Sequence, residues 1–177
     1  PQKEFSKELL TVQTIKDSLE NLLSMVEKIN PDLQIIFTIS PVRHLKDGFV
    51  ENQRSKANLI SAVHQMQTRP TVSYFPAYEI MMDDLRDYRF YEKDLIHPNE
   101  QAVDYIWDQF VQTYLNKDDQ GLLEKWNKLN QSLNHKAFNP KSGGHQKFLQ
   151  HTLTQLKELN GQLLLDKEIA QIKKQLK

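Results

Sequence analysis

Apolar residues recur every three or four positions near the start of the chain: Leu9, Val12, Ile15, Leu19, Leu22, Leu23, Val26 and Ile29. That period predicts an amphipathic helix from about Glu4 to Ile29. Asn30-Pro31-Asp32 ends it, because proline cannot continue a helix and disfavours helical geometry in the residue before it. The pattern then changes. Leu33 to Ile39 is a near-continuous apolar run rich in β-branched residues, the composition of a parallel strand buried on both faces. It runs into a polar loop, Ser40-Pro41-Val42-Arg43-His44, at the carboxyl end of the strand. In open α/β sheets ligands bind at that edge.

A second helix is predicted from Glu51 to Met66, with Ala57, Ile60, Val63 and Met66 on one face. Thr71 to Phe75, after Pro70, reads as a second short strand. A short helix over Tyr78 to Asp87 leads to an aromatic and charged loop, Tyr88-Arg89-Phe90-Tyr91. Pro98 suits a first helical position, where its missing N–H costs nothing. The helix it would open buries Val103, Ile106, Trp107, Phe110, Val111 and Tyr114.

After Leu115 no strand is evident. Helices are expected around Gly121 to Asn134, His145 to Asn160 and Leu163 to Leu176, interrupted by a loop from Phe138 to Gly144. Leu165, Ile169, Ile172 and Leu176 form a short heptad-like stripe. Packing on the same chain is its first reading, an oligomer seam the alternative. The chain thus divides into an α/β part, residues 1–116, and an all-helical extension, residues 117–177. Two strands are too few for an ordinary doubly wound sheet. Either the chain packs as a mostly helical remnant, or it forms a homodimer through the exposed sheet edge or the helical tail.

Length and composition narrow the function. With 177 residues the chain can build a real core, and 23 basic residues balance 23 acidic ones. A net charge of zero argues against a nucleic-acid partner, whose affinity comes largely from neutralised phosphates. With no cysteine there is no disulfide, thiolate metal site or cysteine nucleophile. No apolar run approaches the roughly 20 residues of a membrane span. The chain opens on Pro1, so an N-terminal address is not in view and the compartment stays open, the cytoplasm slightly favoured.

The candidate chemistry lies in Tyr91-Glu92-Lys93-Asp94-Leu95-Ile96-His97-Pro98-Asn99. A carboxylate three residues before an imidazole can accept its Nδ1 proton when the intervening residues form a tight turn. That fixes the tautomer and leaves Nε2 to take a proton from a nucleophile. At a helix N-terminus the dipole would also disfavour the imidazolium, as a general base requires. The competing reading makes Asp94 a backbone cap and His97 incidental, since about 0.4 chance matches to this spacing are expected in such a chain.

Several blocks in order carry a wider likeness: Phe37 to Arg43, Arg54-Ser55-Lys56-Ala57, Tyr74 to Tyr91, and Asp94-Leu95-Ile96-His97-Pro98. His135 to Pro140 and His145 to Leu149 extend it into the tail. Together they resemble the GSCFA family, a branch of the SGNH, or GDSL-like, hydrolases. The resemblance implies part of a flavodoxin-like three-layer fold with few parallel strands, and a serine ester hydrolase, an acyl esterase or deacylase acting on a small-molecule, carbohydrate or cell-wall ester. It implies Asp94 and His97 as catalytic residues, with no cofactor. In the SGNH pattern a serine and two oxyanion-hole residues, glycine and asparagine, precede the Asp-x-x-His block. The naming motif Gly-Ser-Cys-Phe-Ala needs a cysteine, which this chain lacks. The expectation is therefore the C-terminal part of such a hydrolase, inactive alone; a non-catalytic interaction module with a helical tail is the alternative.

Other residues take lesser roles. Ser40 stands at the ligand edge, but Pro41 and Val42 do not make a nucleophile elbow, so lining suits it better than attack. Arg43, His44, Arg54 and Lys56 form a basic set able to bind an acidic or oxygen-rich group, or else a solvated face. Glu79, Arg86, Asp87 and Arg89 are expected as an ion-pair cluster beside the Asp94 loop, and Tyr88, Phe90 and Tyr91 as its anchor. The six histidines show no metal-ligand spacing, so no metal is expected.

Overall fold

The computed structural model describes residues 7–134, 138 and 142–176. The chain forms two compact units, residues 1–113 and 114–177. The first is a mixed α/β unit with a small parallel sheet of two strands.

Helix α1, Val12–Ile29, begins later than the apolar period suggests. Thr11 supplies the reason: its hydroxyl accepts the Thr14 N–H at 3.1 Å, which is an N-cap. The remaining residues of the expected first turn are non-helical from 7 to 10, and earlier ones lie outside the described residues. At the other end Asn30 caps the helix, and its side chain accepts the Asp32 N–H in the turn at Pro31.

Strand β1, Ile35–Thr38, pairs in parallel with β2, Val72–Phe75, in the register Ile35 with Val72 through Thr38 with Phe75. Between them lies α2, Gly48–Met66, entered through a 3-10 turn, Leu45–Asp47. Gly48 joins the two at φ 82°, a left-handed geometry that glycine adopts without a Cβ penalty. One face of the sheet carries Ile35, Phe37, Val72 and Tyr74. It packs on Leu19 and Leu23 of α1 and on Leu59, Val63 and Met66 of α2. Ala57, expected on that buried face, is exposed; Lys56 and Ala62 are buried instead.

The expectation that β1 is buried on both faces is not met. Ile36 and Thr38 alternate outward and remain exposed. Helix α4, Glu100–Tyr114, reaches this second face where Phe110 meets Phe75 edge-on, ring centroids 5.1 Å apart. It does not cover β1, so Val103 stays 53 % and Trp107 47 % exposed, against the prediction that both are core.

After β2 the chain makes one helical turn, α3, Ala77–Glu79, which widens into a π-helical turn, Ile80–Asp84. This segment buries Met81 and Leu85 against Ala102 of α4. Pro98 is not the first residue of α4. It pairs with Tyr91 in an isolated antiparallel bridge, and Asn99 caps the helix by accepting the Ala102 N–H at 3.1 Å.

The second unit is helical: α5, Lys117–Asn134; α6, Gly143–Leu159; and α7, Asp166–Gln175. Helix α7 starts three residues later than the apolar pattern suggests, after a loop in which Asn160 accepts the Leu165 N–H at 2.8 Å. The Leu165, Ile169, Ile172 stripe packs with Leu129 of α5 and Leu149, Leu153 and Leu156 of α6. Packing on the same chain is therefore the use of that stripe. No helix among the described residues is long and apolar enough to cross a membrane.

Candidate active-site turn

The Asp94 segment closes on itself because both its flanks are pinned. Tyr91 and Pro98 bridge across it; the Glu92 N–H donates to the His97 carbonyl at 2.8 Å, and the Leu95 N–H to the Glu92 carbonyl at 2.9 Å. Leu95 turns the chain at φ 56°, an uncommon left-handed geometry for a leucine. With the chain so reversed, Asp94 faces forward onto Ile96 and His97. Its Oδ1 accepts the N–H groups of Ile96 at 2.8 Å and His97 at 3.1 Å, and its Oδ2 lies 2.7 Å from His97 Nδ1.

The capping and orienting readings of Asp94 thus coexist, one on each oxygen. The His97 hydrogen bond, followed by the two backbone N–H groups, lowers the Asp94 pKa to about 2. A carboxylate ionised throughout the neutral range stabilises the His97 tautomer with the proton on Nδ1. Among the described residues nothing hydrogen-bonds His97 Nε2. The imidazole side chain is 56 % exposed and the carboxylate 44 %. His97 precedes Asn99, the cap of α4, by two residues, so it stands outside the helix rather than in its first turn.

Arg43 joins this turn to the exit of β1. Its N–H donates to the Ile96 carbonyl at 3.4 Å, and its Nη1 to the Leu95 carbonyl at 3.2 Å. The guanidinium lies over the Tyr91 ring, 4.5 Å from the centroid, and 5.7 Å from that of Tyr88. Two clefts open on either side of it. One of about 220 Å³ is lined by Arg43, Met81, Arg86 and Tyr91; the other, about 250 Å³, by Pro41, Phe49, Gln53 and Tyr78. Met82 and Tyr88 border both.

The rest of the basic set is not assembled. The Arg54 guanidinium is bonded to Glu51 on the outer side of α2, and among the described residues it shares no hydrogen bond with Arg43 or His44. His44 is exposed and donates its backbone N–H to Asn52. Lys56 points inward, its ammonium on the Ser40 carbonyl. Ser40 is exposed at the end of β1, where its hydroxyl accepts the Val42 N–H at 3.2 Å, a local turn.

Nor do Glu79, Arg86, Asp87 and Arg89 form ion pairs with one another among the described residues. Glu79 accepts the Tyr74 hydroxyl at 2.9 Å, burial being the first cause of the raised pKa of that phenol, and Asp87 caps the Arg89 N–H. The anchor is partly as expected: Phe90 and Tyr91 pack beside Met81 and Leu85, while Tyr88 is mostly exposed.

Sequence reasoning missed Asn99 as the cap of α4, although an asparagine before a helix is a recognised start signal. It missed the Arg43 clamp, for which no local pattern exists. No group of three or more His, Asp or Glu side chains converges as a metal site among the described residues. The tail block from His135 to Pro140 lies outside the described residues except for Phe138.

The α/β unit thus sets an Asp-x-x-His turn beside the carboxyl end of a parallel strand. The chain belongs to the GSCFA family, whose model matches residues 1–110. A second model, the C-terminal domain of GSCFA domain proteins, matches residues 126–177. No curated protein and no solved structure matches the chain.

Proposed function

We propose that this chain supplies the Asp-His half of an SGNH-type serine ester hydrolase acting on acyl esters of small molecules or carbohydrates. One observation carries the reading: the 2.7 Å contact between Asp94 Oδ2 and His97 Nδ1, with Nε2 unbonded by the described residues on a side chain that is 56 % exposed. A serine from a block outside these 177 residues attacks the acyl carbon, and His97 Nε2 takes its proton. Asp94 holds the imidazole in the required tautomer and stabilises the imidazolium that forms. His97 then returns the proton to the leaving alcohol, and water repeats the sequence to release the acid. The two clefts beside Arg43 are the spaces available to acyl and alcohol portions. Helices α1 and α2 on one face of the parallel sheet, with α4 meeting the other at Phe75, support a partial three-layer core.

The test pairs these residues with the nucleophile block in one polypeptide and assays a short-chain aryl ester. His97→Ala and Asp94→Asn are each expected to lower kcat by about a thousand- to ten-thousandfold. Unchanged turnover in both variants would sink the reading.

The exposed apolar face favours a second reading, an interaction module. Ile36, Val103 and Trp107 line a groove of about 440 Å³ with Phe75, Ile106 and Phe110, beside a β1 edge that has no strand partner among the described residues. In that reading two copies pair through the edge, because the tail stripe is already occupied within its own unit.

A further inference from the structure

Lys56 is the only charged side chain fully buried among the described residues, at 2 % exposure. It stands on the core face of α2, in line with Leu59, Val63 and Met66. Charged groups are withdrawn from water only at large cost unless they are paired, and an alkyl chain fills such a position more cheaply. No carboxylate pairs with Lys56 among the described residues. Its Nζ donates to the Ser40 carbonyl at 2.5 Å and lies 5.8 Å from the Tyr78 ring centroid. Burial lowers its pKa accordingly.

The bond it makes is at an informative place. Ser40 is the first residue after the buried Ile39, where the chain leaves the sheet. Three residues on, Arg43 holds the Leu95 and Ile96 carbonyls by side chain and backbone. Those two residues are the middle of the Asp94–His97 turn, and Leu95 is its left-handed hinge. Polar contacts at α2 and at the turn are therefore joined by the short backbone stretch from Ser40 to Arg43, itself closed by the Ser40 hydroxyl on the Val42 N–H.

We propose that Lys56 is a positioning residue for His97: its ammonium pins the β1 exit by the Ser40 carbonyl, and Arg43 passes that constraint to the turn that orients the imidazole. Lys56 touches neither Asp94 nor His97 and takes no part in proton transfer. A charge costly to folding is retained for the geometry it imposes. Its use rests on the hydrolase reading proposed above; the physical relay does not.

The experiment reads His97 directly. Ring-nitrogen shifts give its tautomer by NMR, and amide exchange gives the protection of the Arg43 N–H. In the unaltered protein the imidazole is expected as the Nδ1–H tautomer with a downfield proton. Lys56→Met removes the charge and keeps the volume. It is expected to leave the thermal midpoint unchanged or raised, to average the two His97 tautomers, and to speed exchange at the Arg43 amide at least tenfold.

Arg43→Gln cuts the relay one link later, at a half-buried site, and is expected to release His97 in the same way. A His97 signal and Arg43 protection unaltered in Lys56→Met overturn the proposal. A His97 signal unaltered in Arg43→Gln overturns it too, whether or not Lys56→Met folds. In the polypeptide that carries the nucleophile, Lys56→Met should lower kcat about tenfold with KM unchanged. A wild-type protein without esterase activity would sink the hydrolase reading, while the NMR measurements still decide the relay.

Discussion

The two units bury their apolar residues in different ways. In the helical unit Leu129, Leu149, Leu153, Leu156, Leu165, Ile169 and Ile172 join in one core drawn from all three helices. The α/β unit divides its buried residues among three small clusters and leaves Ile36, Val103 and Trp107 in the open. The contrast follows from geometry. A helix has one apolar stripe, and three stripes can face one another and close. A sheet has two faces and two edges, and two strands with their helices cannot cover them all. The unit that closes its core carries no candidate chemistry; the open one carries the Asp-His turn.

The largest effect expected on this contrast comes from cutting the closed core. Leu156 is fully buried at its centre, so Leu156→Ala loses transfer energy and leaves a cavity, for about 2–5 kcal/mol. Urea denaturation followed by far-UV circular dichroism measures it. Trp107→Ser on the open face is the counterpart. It should cost less, about 1–2 kcal/mol, because half of the side chain already meets water and only the rest stacks on Phe110. If copies pair through this face, the same change lowers the dimer fraction in size-exclusion chromatography with light scattering. A Trp107 loss as large as that of Leu156 would mean the groove is core and the contrast false.

A smaller effect lies where the open unit is tied together. Asn99 caps α4 through Oδ1, donates Nδ2 to the Arg89 carbonyl at 2.7 Å, and gives its N–H to the Phe90 carbonyl at 2.9 Å. Asn99→Ala removes the two side-chain bonds and should cost about 1–2 kcal/mol. Asn99→Asp keeps the cap but loses the Arg89 bond and turns a carboxylate oxygen toward that carbonyl, so it should recover only part of the loss. Equal losses in the two variants would deny that the cap matters.

How far the sequence could be read depends on which force set each feature. The helical stripes of α1 and α7 and the apolar run of β1 were legible because periodicity records local burial. Thr11 and Asn99 shifted helix starts because one side-chain oxygen outranks the apolar pattern at a terminus. The three-residue spacing of Asp94 and His97 was legible as chemistry, since the bond is made within a single turn. The exposure of Ile36 and Trp107 was not, because an apolar face reads alike whether or not a partner covers it. Lys56 and Arg43 read as a shared basic patch, yet one is buried and the other grips a carbonyl 52 residues on. Such roles rest on contacts distant in sequence, which no window along the chain contains.

The smallest effect is a titration, and it tests the turn without any substrate. Asp94 is held near pKa 2 against an ordinary aspartate value of 3.8, first by His97 and then by two backbone N–H groups. A folded-state value below the unfolded one means that ionised Asp94 favours the folded state. That contribution is fully present above about pH 4 and fades as pH falls through about 2. Since the carboxylate is exposed, the effect on global stability is small, and the carboxyl carbon shift is the better probe. Its midpoint should lie near 2 in the unaltered protein. In His97→Ala it should move upward but stay below the ordinary value, because the Ile96 and residue-97 N–H groups still donate. A midpoint indifferent to His97 would mean that Asp94 only caps the turn, and the open unit would lose the feature that sets it apart from the closed one.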